Sequence, residues 1–403
     1  MKENDIVILS AARTPFGRLG GSFKDVGCYE LGAIPMKEAL SRIGMDPALI
    51  GEVYWGMGDT SSCKDVYTPI AGRQSALLAG IPCTTPTLTL DKACVSGTSA
   101  IAMAIRSLQL GQVEFAMAGG ATTFSQEPFI LRNNRFKGHK MGDLKVEDPL
   151  VGLGYKDYNP VAVDAGERAV INGISREEQD EWALRSHQLY TAAWSEGKFK
   201  EEMIPYQIGE NETGPVYLEK DEQHRPDTTI EKLAKLKTIY GNPTVTAGNS
   251  PGLNDGASAL ILSTRKAAEA HGFKPLATVL SYACVAGEPS QIPEIPATAI
   301  KTCLEKANVS IDDVDVIEIN EAFAVMPLAS TKILAGGDME KAAALRAKTN
   351  INGGAIAIGH ANTATGGRLV MTMMYELIRR GGGKAVCGIC GGLGQGDSIL
   401  IEV

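Results

Sequence analysis

Short apolar runs alternate with stretches of helical periodicity in two parts of the chain. In the first part, strands are predicted over residues 6–10, 52–54, 87–90 and 115–118, and a helix is predicted over residues 97–110. The same rhythm returns from about residue 276, with strands predicted over 278–281, 314–319, 384–388 and 398–401 and a helix over 369–379. Strands that alternate with helices predict an α/β protein with a largely parallel, helix-covered sheet in each part.

The two parts also resemble each other in detail. Residues 111–120 and 382–392 each place a short strand after a glycine turn and end it at paired glycines. We interpret this as an internal duplication.

The intervening stretch of 123–249 is different in character, because it is rich in charged and turn-forming residues. One helix is well signalled there, since Ser175 and Glu178 form a capping box ahead of an apolar face. We interpret this stretch as an insertion over the core, a lid with substrate contacts. The predicted division is an N-terminal half of 1–122 with 250–275, a lid of 123–249 and a C-terminal half of 276–403.

Composition narrows the class of protein. A chain of 403 residues exceeds one typical core, and its net charge of −8 disfavours a nucleic-acid partner. Long hydrophobic spans and a signal-like start are absent, so we expect no membrane partner and a cytoplasmic location with reduced thiols. Five of the eight cysteines have no motif around them and are expected to be packing residues: Cys28, Cys63, Cys83, Cys284 and Cys303.

Two other cysteines and one histidine are candidates for chemistry. Cys94 stands just before the predicted helix, where the helix N-terminus favours a thiolate, although a buried structural cysteine fits its position equally well. His360 follows a glycine-rich apolar segment, whereas His139, His187, His224 and His271 lie in polar or helical-surface contexts.

The second candidate cysteine is Cys390, near the C-terminus. Together with Cys387 it forms a Cys-x-x-Cys pair, but no second such pair completes a zinc site, and the following glycines and strand are not those of a redox motif. We therefore predict no metal. Asn320 follows a buried run and is either a site residue at a strand end or a helix cap.

These segments together resemble the thiolase family, the acyl-CoA:acetyl-CoA C-acyltransferases. The resemblance includes Asn-Glu-Ala-Phe-Ala at 320–324 and Asn-Gly-Gly-Ala-Ile-Ala-Ile-Gly-His at 352–360, and it extends through 10–17, 94–97, 118–120, 140–143, 174–180, 246–257 and the loop after Cys390. It implies an α/β, thiolase-like five-layer αβαβα core from two duplicated βαβαβαββ halves, with an inserted lid region.

The resemblance also implies roles for individual residues. Cys94 would be the nucleophile that holds the acyl group, and His360 would activate it and help to stabilise the thioester oxyanion. Asn320 would hold a water molecule in that oxyanion hole, and Cys390 would shuttle the proton. The backbone N–H groups of Cys94 and Gly392 would form a second oxyanion hole.

Residues of the acyl and coenzyme A (CoA) positions are expected to contact substrate: Ser250, Pro251, Gly252, Ala322, Phe323, Met141 and Val161. Several of these segments depart from the family pattern. Pro251 stands where the family usually has a serine that meets the pantetheine, and Leu393 stands where the family commonly has glycine. Val161 lies in the stretch that corresponds to a His-Met-Gly segment of short-chain members. Because the departures cluster around the acyl and pantetheine positions, a substrate bulkier than acetoacetyl-CoA, or a functionalised one, is our hypothesis.

The implied activity is thiolysis of a 3-oxoacyl-CoA or the reverse Claisen condensation, as in the degradation of fatty or aromatic acids. CoA would be a co-substrate and no cofactor would be tightly bound. The implied assembly is a homodimer or homotetramer, and a small zinc-ribbon/OB-fold accessory subunit is a further hypothesis. Two alternatives are a ketoacyl-synthase-type condensing enzyme and a non-catalytic acyl-CoA-binding subunit. Cys390 disfavours the first, because ketoacyl synthases typically use a second histidine at that place.

Overall fold

A computed structural model describes residues 3–58, 69–132, 134–136, 138–151, 154–212 and 214–403. Its strands are β1 (Ile6–Arg13), β2 (Gly17–Arg18), β3 (Glu52–Gly56), β4 (Thr87–Leu90), β5 (Phe115–Thr122), β6 (Tyr206–Asn211), β7 (Gly214–Leu218), β8 (Asn254–Thr264), β9 (Ala277–Ala286), β10 (Val316–Ile319), β11 (Lys384–Gly391) and β12 (Gln395–Glu402). Its helices are α1 (Cys28–Arg42), α2 (Ala71–Leu78), α3 (Ser96–Gln109), α4 (Val161–Ile171), α5 (Arg176–Ser195), α6 (Ile230–Ala234), α7 (Arg265–Ala270), α8 (Ile295–Ala307), α9 (Val325–Leu334), α10 (Met339–Ala347), α11 (Ala355–Ile358) and α12 (Thr365–Arg380).

The main sheet is mixed, so the prediction of largely parallel sheets is wrong. Its strand order is β10-β11-β12-β9-β1-β8-β5-β3-β4, with β2 beside β8. Only β3–β4, β3–β5 and β10–β11 are parallel pairs among the described strands. The turn between β11 and β12 is too short for a parallel crossover, which forces an antiparallel pair. In the N-terminal half β8 pairs antiparallel with both β1 and β5.

Helices α3 and α12 lie between the two halves of this sheet. Alternate residues of β5, β8, β11 and β12 face these helices in one buried core. The opposite face of the N-terminal strands packs against α1 and α2, and that of the C-terminal strands against α8 and α9. These are the five layers, αβαβα, implied by the resemblance.

The predicted duplication is confirmed in the order of elements. A short 3₁₀ turn, Ala93–Val95, leads into α3, and another, Asn362–Ala364, leads into α12. Each helix is followed by a strand, β5 or β11, that pairs antiparallel with a further strand of its own half. The turn of Cys94 and the turn after His360 therefore occupy corresponding places at the N-termini of the two central helices.

The inserted stretch contains α4, α5, α6 and the β6–β7 hairpin. The predicted capping box is present, because the Ser175 hydroxyl accepts from the Glu178 N–H at 3.1 Å and the Glu178 carboxylate accepts from the Ser175 N–H at 2.9 Å. Arg13 of β1 forms buried ion pairs with Glu202 and Asp221, which fasten this stretch to the core. We keep the division at 123–249 as a proposal.

Some expectations for single residues are wrong. Cys28 and Cys303 are buried as predicted, but Cys83 and Cys284 are exposed, and Cys63 lies outside the described residues. His187 is only 4 % exposed, since it lies on the face of α5 turned toward the core. Of the helices that the structure describes, none combines the length and apolar character needed to cross a bilayer.

Candidate active site

A cavity of about 470 Å³ opens at the N-termini of the two central helices. Its wall includes Cys94, His360, Cys390 and Gly392, which come from three separate segments of the chain. The structure thus brings together the two thiols, the imidazole and the glycine loop that the sequence singled out.

Close approach of backbones explains the glycines around this site. An ideal Cβ on Gly97 would lie 2.4 Å from the carbonyl oxygen of Thr363, and one on Gly366 would lie 2.4 Å from the Thr98 nitrogen. Larger residues at 97 and 366 would push the two turns apart. The glycines therefore allow Cys94 and His360 to reach one cavity.

Hydrogen bonds on three sides hold His360. Its N–H donates to Asn254 Oδ1 at 2.9 Å, its Nδ1 lies 2.8 Å from Thr365 Oγ1, and its Nε2 lies 3.5 Å from Asn320 Nδ2. A proton on Nδ1 satisfies both ring contacts, because Nδ1–H then donates to Thr365 and Nε2 keeps its lone pair. Burial, with the positive charge of Arg368, lowers the pKa of His360 to about 3. The imidazole is neutral and able to accept a proton.

Asn320 is fully buried at the end of β10 and is not a helix cap, since α9 begins only at Val325. Its backbone N–H donates to the Gly388 carbonyl at 3.0 Å, which fixes it beside β11. Its Oδ1 makes no hydrogen bond within the described residues. That oxygen is therefore available to a water molecule or substrate group.

The next residue, Glu321, anchors the segment that carries Asn320. Its carboxylate accepts hydrogen bonds from the Trp182 indole at 2.9 Å and the Ser186 hydroxyl at 2.8 Å, both on α5. It also accepts from Asn350 Nδ2 at 2.8 Å and the Ile356 N–H at 3.0 Å. One buried carboxylate thereby connects the inserted stretch to the loop that ends at His360.

The thiol of Cys94 is protonated in the resting protein. Burial raises its pKa to about 12, and the nearby negative charge of Asp91 acts in the same direction, against a backbone hydrogen bond that lowers it. The expected effect of the helix N-terminus is outweighed by desolvation, because an anion loses more solvation on burial than it gains from the helix dipole. A base would therefore be needed to convert Cys94 to its reactive thiolate.

Cys390 lies at the end of β11 with its side chain buried. Burial raises the pKa of its thiol, and the proximity of Cys94 raises it further. Cys387 and Cys390, three residues apart on one strand, pack in cores on opposite faces of the sheet and cannot pair. The described residues hold no group of three His, Cys, Asp or Glu side chains arranged for a metal ion.

Most of the predicted substrate contacts lie on the cavity wall. These are Ser250, Pro251, Gly252, Ala322, Phe323 and Val161. The Ser250 hydroxyl already donates to the Thr246 carbonyl at 2.6 Å, so it meets a ligand only as an acceptor. The structure does not bring Met141 to the cavity: its side chain is 93 % exposed on the loop before α4.

Other residues of the site had no assigned role from the sequence. Asn254 and Thr365 hold His360, while Tyr155 and Arg225 line the cavity. Asn254 lies within a segment shared with the family and Thr365 only five residues after His360, so proximity to a motif could have indicated both. Tyr155 lies in a loop with no periodic pattern, and nothing in the sequence marks it.

Two thiols and an imidazole gathered at one cavity of a layered α/β fold are typical of enzymes that transfer acyl groups. Comparison with known proteins agrees with this class. The family described as "Thiolase, N-terminal domain" matches residues 6–266, and "Thiolase, C-terminal domain" matches residues 273–403. The chain belongs to the thiolase family, and it is an acyltransferase that catalyses thiolytic cleavage or condensation of acyl-CoAs.

Individual relatives match over nearly their whole length. A probable acetyl-CoA acetyltransferase of Mycolicibacterium smegmatis is 38% identical over 98% of this chain and 100% of its own. A beta-ketoadipyl-CoA thiolase of Pseudomonas knackmussii is 38% identical over 99% of both chains. The crystal structure of human mitochondrial 3-ketoacyl-CoA thiolase superimposes with a TM-score of 0.92 at 38% identity, covering 99% of both chains. The same human enzyme in complex with CoA gives 0.91 at 37% identity, covering 99% of this chain and 98% of that one.

Proposed function

We propose that the enzyme works through an acyl thioester on Cys94, with His360 as the base and Cys390 as the second acid/base. The observation that carries this proposal is the convergence of these three side chains on one cavity. Their protonation states fit the roles, because a neutral imidazole can take the proton of a neutral thiol.

In the thiolytic direction, Cys94 Sγ attacks the 3-oxo carbon while its proton moves to His360. The bond between the α- and 3-carbons then breaks, and Cys390 protonates the α-carbon as acetyl-CoA leaves. Cys390, now a thiolate, takes the thiol proton of CoA as the CoA sulfur attacks the remaining thioester, and the Cys94 thiolate leaves and takes back the proton held by His360. Asn320, through a bound water, and the N–H groups of Cys94 and Gly392 would stabilise the oxyanions of these steps.

We propose CoA as the co-substrate, with no tightly bound cofactor. The cavity that reaches Cys94 continues to Arg225, an exposed cation suited to the phosphates of CoA. Pro251 contributes apolar surface to the wall and lacks a hydroxyl for the pantetheine amides. This difference at Pro251, together with Val161, supports our hypothesis of a substrate bulkier than acetoacetyl-CoA.

A substrate panel tests the proposed specificity. Thiolysis rates with acetoacetyl-CoA and with larger or carboxylated 3-oxoacyl-CoAs are compared for the purified enzyme, with Cys94→Ser as the inactive control. A higher kcat/KM for a larger substrate is expected. A strong preference for acetoacetyl-CoA would refute the specificity hypothesis and leave the thioester mechanism intact.

We also propose a homodimer or homotetramer. The loop before α4 exposes several large apolar side chains that a second copy of the chain could cover: Phe129, Phe136, Met141, Leu144 and Val151. Light scattering of the purified protein tests this, and Phe136→Ser with Met141→Ser should weaken the assembly if that loop is the interface. The accessory subunit and the cytoplasmic location remain predictions, to be tested by co-purification and fractionation from the native source.

The two alternative functions considered from the sequence are less consistent with this protein than a thiolase. A ketoacyl-synthase-type enzyme would condense acyl groups without performing thiolysis, and Cys390 on the cavity wall supports the thiolase over it. A non-catalytic acyl-CoA-binding subunit, the second alternative, is inconsistent with the acyltransferases that match this chain over nearly its whole length.

A further inference from the structure

The hydroxyl group of Tyr155 lies against Gly392 at the catalytic end of the cavity. A Cβ built on Gly392 would be 1.7 Å from Tyr155 Oη and 2.4 Å from Cζ, so the phenol covers the backbone of this glycine. Tyr155 and Gly392 line the cavity together with Cys94 and Cys390. The phenol thus lies on the side of Gly392 where a side chain would stand, in the cavity that Cys94 also lines.

The chemical state of this phenol suits a hydrogen-bond donor. Burial raises the pKa of Tyr155 to about 12, and the proximity of Cys94, Asp91 and Cys390 contributes to the rise. The group therefore keeps its proton. No residue that the structure describes forms a hydrogen bond with the hydroxyl, which leaves its O–H available to a ligand.

We propose that Tyr155 is a further catalytic residue, whose hydroxyl donates a hydrogen bond to the acyl oxygen that becomes negatively charged when Cys94 attacks. This inference rests on the proposed function, because it takes Cys94 as the nucleophile and the Gly392 N–H as a donor to the same oxygen. The phenol adds a side-chain donor to that backbone donor.

The step balances without a further reactant. As the bond between Cys94 Sγ and the carbonyl carbon forms, the π electrons move onto oxygen and the thiol proton moves to His360. When acetyl-CoA is the acyl donor, collapse restores the carbonyl, breaks the bond to the CoA sulfur and returns the proton to that sulfur. Negative charge appears on the oxygen only between these events, and a donor aimed at it accelerates both.

Tyr155→Phe removes the donor and keeps the ring, and Tyr158→Phe is the matched control. Tyr158 belongs to the same loop, is 53 % exposed and does not line the cavity. The first measurement is the single-turnover rate at which acetyl-CoA acylates Cys94, followed by rapid quenching and mass spectrometry. The second is the rate of Cys94 alkylation by iodoacetamide, a displacement that creates no oxyanion.

Acylation in Tyr155→Phe should be slower than in the wild type by about tenfold or more. Loss of a fully buried oxyanion donor slows a reaction by roughly 10²–10³-fold, and we expect a smaller effect here because Tyr155 is partly exposed. Its alkylation rate should stay at the wild-type value, and Tyr158→Phe should match the wild type in both assays. A parallel fall in acylation and alkylation would indicate a structural role and overturn the proposal.

Wild-type acylation rates in Tyr155→Phe would also overturn it. Tyr155→Ala would then show whether the ring limits the size of the acyl group instead. If the wild type itself forms no acyl-Cys94, the proposed function fails, which is a separate and recognisable result.

Discussion

At the scale of single residues, the site pairs a protonated thiol with an unprotonated imidazole. Burial disfavours the charged form of each group, and it therefore acts in opposite directions on the pKa of Cys94 and of His360. In the proposed mechanism the nucleophile rests as a thiol, and the thiolate forms only as His360 takes the proton. The resting thiol is thereby protected from adventitious oxidation, because oxidants attack the thiolate.

A pH profile of alkylation tests this resting state. With a thiol pKa of about 12, the thiolate is the minor form below that pH, and its fraction grows tenfold with each pH unit. Iodoacetamide alkylation of Cys94 in the free enzyme should accordingly keep rising through about pH 9 without a plateau. A plateau near neutral pH would show that a standing thiolate exists and that the helix N-terminus outweighs burial.

Thr365 is predicted to act as a positioning residue for the imidazole. Thr365→Val keeps the shape but removes the acceptor at 2.8 Å from Nδ1, so that only the longer contact of Nε2 with Asn320 Nδ2, at 3.5 Å, still favours the tautomer with its proton on Nδ1. We expect kcat to fall about tenfold, part of the ~10²–10⁴ that a positioned base contributes. KM should change little, and Thr365→Ser should restore kcat. An unchanged kcat in Thr365→Val would contradict the assigned tautomer.

At the scale of elements, local sequence signals determine some helices and strands, and long-range packing determines others. The strand predicted over 87–90 has the observed bounds of β4, and the capping box at Ser175 starts α5 as expected. β8 was not predicted, because its first half, Asn254 to Ser258, consists of small and polar residues that are buried by their neighbours in the sheet. That first half is a strand because of its tertiary contacts, whereas the apolar run of residues 259–262 in the second half is a strand signal that the prediction overlooked.

The capping box gives an element-scale prediction. Ser175→Ala removes the acceptor of the Glu178 N–H, which should destabilise the first turn of α5 by about 1 kcal/mol, or about a fivefold increase in local opening. Amide hydrogen exchange at Glu178 should be faster by that factor. Ser195→Ala, at the other end of the helix, is the control and should leave this amide unchanged. Equal exchange at Glu178 in both variants would exclude a stabilising role for the cap.

At the scale of the whole molecule, buried charges connect parts of the chain that lie far apart in sequence. Arg13 of β1 donates to Glu202 at 2.7 Å and to Asp221 at 2.7 and 3.0 Å, and all three side chains are almost completely buried. Sequence reasoning identified the segment around Arg13 only as a family feature. The partner carboxylates, about two hundred positions away, could not be inferred without the fold.

Arg13→Met leaves two buried carboxylates without their cation. The free energy of unfolding should fall by about 3–5 kcal/mol, as it does when one partner of a buried ion pair is removed. Chemical denaturation measures this, and Arg18→Met, at an exposed position on the neighbouring β2, is the control. A loss no larger than that of the control would mean that the hydrogen bonds from Phe16 and Tyr190 to Asp221 satisfy that carboxylate without Arg13.

The same dependence on the fold explains how much of the site was predictable. Cys94, His360 and Cys390 each lie in a local motif, and those motifs are enough to indicate all three as candidates. Tyr155 reaches Gly392 from a loop more than two hundred residues away, and only the packing of the inserted stretch over the cavity shows this contact. A contact of this kind, between a loop without a motif and a distant segment, cannot be inferred from the sequence.

Peptide mass spectrometry shows whether residue 94 carries an acyl group during turnover. The enzyme is mixed with acetyl-CoA, quenched in acid within its turnover time and digested. We expect one acetyl group on the peptide that contains Cys94, its disappearance when CoA is added before the quench, and its absence from Cys94→Ala. An acetyl group on the peptide of Cys390 instead, or an unmodified Cys94 in enzyme that turns over, would show that Cys94 is not the acyl carrier.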